Sequence, residues 1–241
     1  MSTISRAALA LALLLPGCGG DDADEGTGTI SVRLYGESFI EEGIPSDDVD
    51  DGWAISFSRF DVTVQDIVVG EVALEDPEAV DLSAASDGEG HELGAASVSA
   101  GDHAEPSFTI AHVEIDGSAE QDDVTKTFNW VFDSPTHYTH CGTTTSVAKD
   151  ASATFQITVH ADHLFYDSLV AEEPQLLFQP LADSDSDDDG EITEAELGAV
   201  DIGAYDPGNE DVDELWGWLI AQTRTLGHVD GEGHCEANSA D

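Results

Sequence analysis

The chain has 241 residues and carries 52 Asp and Glu against 6 Lys and Arg, a formal net charge of −46 at pH 7. Such a field repels nucleic acid and anionic lipid surfaces, so a nucleic-acid partner is excluded and divalent cations become the natural counter-charge. Beyond a leader, about 220 residues suit one large β domain, or one domain with an appendage.

In chain order, residues 1–17 (MSTISRAALALALLLPG) place one basic residue, Arg6, before an apolar run from Ala7 to Leu15. A charged start and a short apolar core read as a secretory signal, too short for a permanent membrane span. Leu15-Pro16-Gly17-Cys18 then resembles the lipobox of bacterial lipoproteins. The resemblance implies cleavage before Cys18 and acylation of its sulfur and new amino terminus. It also implies a bacterial cell-envelope location, at the outer membrane or cell surface, with the membrane as partner through the lipid. Residues 18–28, with the run GGDDADEGTG, read as a flexible polar tether.

From residue 29 to 178 the pattern is that of strands. Thr29 to Tyr35 (TISVRLY) puts Ile30, Val32 and Leu34 on one face. Trp53 to Val69 (WAISFSRFDVTVQDIVV) alternates again, but its apolar phase moves from Ile55 and Phe57 to Phe60, Val62 and Val64. A one-residue phase change predicts a bulge or a break. Further strands are expected over 106–115, 124–132 and 153–160, with Phe128, Trp130 and Phe132 sharing a core face. Short strands separated by Gly, Asp and Ser loops predict a mainly β fold, an antiparallel β-sandwich.

The stretches SFSRFDVTV (56–64), AVDLS (79–83) and SVSAGDHAEPSFTI (97–110) resemble a pattern in bacterial lipoprotein β-sandwiches, some of them MbnP-like and associated with copper. The resemblance covers roughly residues 29–115 and implies the fold more than an activity.

Residues 179–241 read as an appendage packed on the sandwich: an acidic loop, one α-helix and a Cys/His tail. The loop is DSDSDDDGEITEAE (183–196). With Gly190 at position 6 of a twelve-position frame, Asp185, Asp187 and Asp189 fall at 1, 3 and 5. Glu191 falls at 7, offering its carbonyl, Ile192 at 8, Thr193 at 9 and Glu196 at 12. This resembles the EF-hand calcium loop, in which oxygens at 1, 3, 5, 7, 9 and 12 surround calcium and Gly at 6 allows the sharp turn. An acidic run needs neither that Gly, nor an apolar residue at 8, nor Glu at 12. Pro180 permits about one helical turn on the entry side, so a full entry helix and a sensor-like opening are not expected. Asp211 to Leu226 (DVDELWGWLIAQTRTL) has helical spacing, with Asp211 expected to cap its start and Gly227 to close its end.

With Cys18 acylated, Cys141 and Cys235 remain, and in an exported protein they are expected to form one disulfide; metal binding by both thiols is the alternative. Nine histidines accompany them. THYTHC carries His137 and His140, HADH carries His160 and His163, and GHVDGEGHC carries His228 and His234. A Cys141–Cys235 bond brings the first and third groups together, so His137, His140, His228 and His234 are expected within reach of one another. Neutral imidazoles of this kind bind zinc or copper. Met1 is the only methionine and departs with the signal, which disfavours a blue-copper centre with its usual axial Met. No HExxH, GxSxG, P-loop or GxGxxG is present, and no catalytic residue is assigned. Two functions from different classes follow: a non-enzymatic, calcium-binding envelope lipoprotein, or a transition-metal binding or delivery lipoprotein. A metal-dependent hydrolase is a third and weaker reading. The sequence leaves any protein or glycan partner open.

Overall fold

The computed structural model describes residues 26–239. The expected signal, Cys18 and most of the expected tether lie outside them. In chain order the strands are β1 (Thr27–Gly36), β2 (Ala54–Val69), β3 (Val72–Ala73), β4 (Val80–Asp81), β5 (His91–Ser99), β6 (Gly101–Ala104), β7 (Ser107–Gln121), β8 (Val124–Phe132), β9 (Thr136–Thr139), β10 (Thr144–Val147), β11 (Ser152–Val159), β12 (Glu191–Ile192), β13 (Gly227–Val229) and β14 (Glu236–Ser239). The helices are α1 (Ser38–Glu41), α2 (Gln179–Ala182), α3 (Glu194–Leu197) and α4 (Leu215–Thr223), with a 3-10 turn at Asp162–Phe165. No helix among the described residues is long and apolar enough to cross a membrane.

Among the described residues, one sheet runs β13-β11-β1-β5, and a larger one is built on β12-β8-β7-β2-β3, with β4 on β2 and β9 bridging β7 to β14. Ile30, Val32 and Leu34 of β1 are fully buried, as are Phe155, Ile157 and Val159 of β11. They belong to one apolar core with Phe60, Val62, Ile115, Phe128 and Trp130 of the larger sheet. Each such side chain contributes about 1.5–3 kcal/mol by leaving water. The phase change in β2 is realised as a register shift between Phe57 and Arg59 against β7.

The sheets are mixed rather than purely antiparallel. β1 pairs with β11 in parallel, Thr29 opposite Ser152 through Gly36 opposite Val159. β12 also runs parallel to β8. Alternation marks which face of a strand is buried, but carries nothing about the direction of its partner.

The helix is shorter than its apolar spacing suggests. Glu214, not Asp211, caps it: the backbone there is extended and the carboxylate accepts the Gly217 N–H at 2.9 Å. At the far end Arg224 is the cap, and Gly227 belongs to β13, its N–H donated to the Tyr138 hydroxyl at 3.2 Å. Trp216 stacks on Phe132 of β8 with centroids 4.9 Å apart, and Leu219 is fully buried. Asp51 anchors the entry to the acidic loop. One of its carboxylate oxygens accepts the Phe178 N–H at 2.8 Å and the Gln179 N–H at 2.6 Å.

Candidate metal centres

The acidic loop hangs between α2 and α3 and is tied to the larger sheet. Gly190 O accepts the Thr127 N–H at 2.8 Å, Ile192 is fully buried, and the Trp130 indole N–H donates to Ile192 O at 3.0 Å. The turn that makes this possible takes the chain through positive φ at Asp188 (59°) and Gly190 (90°). Glycine holds the latter conformation without the strain a Cβ would bring.

Within the loop, oxygens of Asp185, Asp187 and Glu196 come within 4.8 Å of one another. Glu196 is held at both oxygens. Oε1 accepts the Ser186 N–H at 2.9 Å, while Oε2 accepts the Thr193 N–H at 3.1 Å and the Thr193 hydroxyl at 2.8 Å. Thr193 Oγ1 in turn accepts the Glu196 N–H, completing a capping box that fixes the start of α3. These amides lower the Glu196 pKa. Asp189 is outside the converging trio and accepts the Glu191 N–H at 2.8 Å. Glu191 sits in β12.

Asp185 is buried, and its two oxygens differ. Oδ2 accepts the Lys126 ammonium at 2.5 Å and the Gly190 N–H at 2.9 Å. Oδ1 is buried with no partner. The hydrogen bond from Lys126 holds the carboxyl below its usual range, so it stands as an anion. The pattern of the loop did not point to Lys126. Its pairing with Asp185 depends on β12 lying along β8, which no local sequence feature announces.

The histidines gather differently from the expectation drawn from the disulfide. Cys141 and Cys235 are bonded, closing a separation of 94 residues. His137, however, lies in β9 opposite Asn238 of β14, and its Nδ1 is 2.9 Å from Thr109 Oγ1. His140 is exposed, with Nδ1 3.2 Å from Glu236. The group that forms is His160, His163, His228 and His234. Ring centroids lie 4.3 Å apart for His160–His228, 5.1 Å for His160–His163 and 5.2 Å for both His163–His228 and His228–His234. The cause is a strand pairing. β13 runs antiparallel to β11 with His228 opposite Thr158. His160 directly follows β11, and the 3-10 turn after it carries Asp162 and His163.

Charge is distributed unevenly over this group. Burial works to lower the His160 pKa, but the hydrogen bond to Glu37, 3.1 Å from Nδ1, overrides it and the net shift is upward. Burial lowers His163. Burial, then the neighbouring His160, His163 and His234, push His228 down to about 3, so it is neutral at any physiological pH. Glu37 and Tyr166 were not singled out in the sequence. Glu37 is remote from the motif, whereas Tyr166 lies four residues after Asp162 and donates its hydroxyl to Asp162 Oδ2 at 2.6 Å, an i to i+4 spacing that was legible.

No protein-family model matches the chain, and no curated protein or solved structure matches it.

Proposed function

We propose that the protein is a non-enzymatic, calcium-binding lipoprotein of the bacterial cell envelope. It is a β-sandwich held at the membrane by acylated Cys18 and stabilised by calcium in an EF-type loop. The observation that carries the calcium reading is the buried Asp185 Oδ1, unpartnered beside the converging oxygens of Asp187 and Glu196. A carboxylate oxygen shut off from water without a partner is unfavourable, and a hard dication removes that cost. Asp189, the Glu191 carbonyl and Thr193 complete the proposed shell. The loop lacks a paired hand and a full entry helix, so the ion is structural: it holds residues 181–200 against the sheet and opens no groove.

Calorimetric titration of calcium into chelator-treated protein tests this. The expected result is one equivalent bound at roughly 10⁻⁴–10⁻³ M, the range of extracellular modules, and no binding in Glu196→Ala. Absence of heat together with an unchanged melting temperature up to several millimolar calcium would sink the proposal.

A further inference from the structure

His160, His163, His228 and His234 are a second cluster, distinct from the acidic loop. Within it two sets of ligand atoms come within 4.8 Å: His160, Asp162 and His163, and His160, His228 and Glu232. His160 belongs to both sets. Four ligands placed 2.0–2.2 Å from a tetrahedral ion stand about 3.4 Å apart, so a shell drawing on both sets requires their side chains to close in around the shared His160.

The hydrogen bonds around the cluster leave ligand atoms free on Asp162, His163 and His228. His163 Nδ1 lies 2.8 Å from Thr225 O, an acceptor, which assigns the proton to Nδ1 and the lone pair to Nε2. His160 Nδ1 faces the Glu37 carboxylate, while its Nε2 faces Gly231 O at 3.2 Å. A neutral ring satisfies only one of those acceptors. Tyr166 occupies Asp162 Oδ2 and leaves Oδ1 buried without a partner. His228 Nδ1 is likewise buried and unpartnered. The residues carrying these two orphaned atoms, Asp162 and His228, are 8% and 6% exposed. A histidine whose far nitrogen is anchored on a carboxylate or carbonyl is the outer-shell arrangement that orients metal ligands. A cleft of about 440 Å³, lined by His163, Tyr166, His228, Glu232 and His234 among others, provides the way in.

We propose that this cluster binds one divalent transition ion, zinc or copper(II), through His160, His163 and His228, with a carboxylate from Asp162 or Glu232 as the fourth ligand. Imidazole-rich sets select such ions, whereas calcium prefers the all-oxygen loop. His234, exposed at the rim, is the first contact for an arriving ion. Glu37 is a positioning residue that orients His160. The site is independent of the calcium reading.

The test is titration of the purified full chain with zinc and with copper(II), in the presence of saturating calcium. One equivalent of zinc is expected, and bound copper should show imidazole nitrogen coupling in its electron paramagnetic resonance spectrum. His160→Gln and His228→Gln should each weaken zinc binding at least a hundredfold, and Glu37→Gln about ten- to a hundredfold. His140→Gln, at an exposed ring paired with Glu236, should leave it unchanged, as should Glu196→Ala. No stoichiometric binding, binding unaffected by His160→Gln and His228→Gln, or binding abolished by His140→Gln would each overturn the proposal. Should the ligand variants fail to fold, a wild-type copper spectrum without nitrogen coupling overturns it equally.

Discussion

Lys126 is only 15% exposed at its side chain and sets its ammonium against a carboxylate that is wholly buried. It is one of six basic residues in the chain, and it occupies the first carboxylate of the acidic loop. The pairing has opposite consequences in two states. Without a dication, Lys126 is the only cationic side chain paired with Asp185 among the described residues, and its removal leaves a buried anion uncompensated, which is destabilising. With calcium bound, the ammonium is a like charge beside the ion and weakens it. Lys126→Met should therefore melt at lower temperature than wild type in chelator, yet bind calcium about tenfold more tightly and close the gap in melting temperature as calcium is added. Thermal denaturation with and without 10 mM calcium, alongside calorimetry, reads both effects; equal affinity in the two proteins would mean that Lys126 does not compete for the loop.

At the scale of elements, short pieces are held to long strands by single side chains. β4 is two residues long and pairs with β2 through Asp61–Asp81 and Val62–Val80. Asp81 Oδ1 accepts the Phe60 N–H at 3.0 Å, the Ser83 N–H at 3.0 Å and the Ser83 hydroxyl at 2.7 Å. Burial alone raises the Asp81 pKa, but the bonds from Phe60 and Ser83 outweigh it and the net shift is downward from 3.8. A carboxylate with a depressed folded pKa contributes stability fully above its unfolded value and loses it as pH falls through the folded value. Asp81→Ala should cost about 1–2 kcal/mol at pH 7, and the difference from wild type should shrink as pH drops below about 3.8. A difference that stays constant from pH 7 to pH 2 would place the cost elsewhere than in the ionised carboxylate.

The same scale explains what the sequence disclosed. Ile30, Val32 and Leu34 alternate cleanly, so β1 and its buried face were legible, as was the shift after Phe57 in β2. β5 was not: in HELGAASVS only Leu93, Ala96 and Val98 are buried, and Gly94 and small residues blur the alternation. Three-residue β13 has too little pattern to recognise, yet its pairing with β11 assembles the histidines. The four members of that cluster were therefore recognisable as candidates, but their grouping was not, because it depends on a contact between Thr158 and His228, 70 positions apart. The approach of Asp185, Asp187 and Glu196 was readable, since all three lie within twelve consecutive residues; the position of Asp189 outside that trio was not. Nor was the loop's ammonium partner.

For the whole molecule, the dominant quantity is a charge of −46 spread over 241 residues. A field of that sign concentrates cations at the surface and opposes compaction, so both proposed centres stand where dications are enriched and where binding them relieves repulsion. Among the described residues, that repulsion is resisted by one core shared by the two larger sheets and by the Cys141–Cys235 cross-link. In the chain-entropy model, a loop of about 94 residues closed by a disulfide gains roughly 4–5 kcal/mol.

That cross-link encloses more than a loop. His160, Asp162, His163, the acidic segment 185–196, His228, Glu232 and His234 all lie between Cys141 and Cys235. Every side chain proposed here to touch an ion thus sits on one closed ring of chain. Both proposed centres are then expected to answer to redox conditions as well as to ion concentration. Reduction by dithiothreitol should lower the melting temperature and also loosen zinc, even though neither sulfur is a ligand; zinc retention unchanged after confirmed reduction would show the ring to be dispensable. The protein would hold its ions in an oxidising compartment and release them in a reducing one.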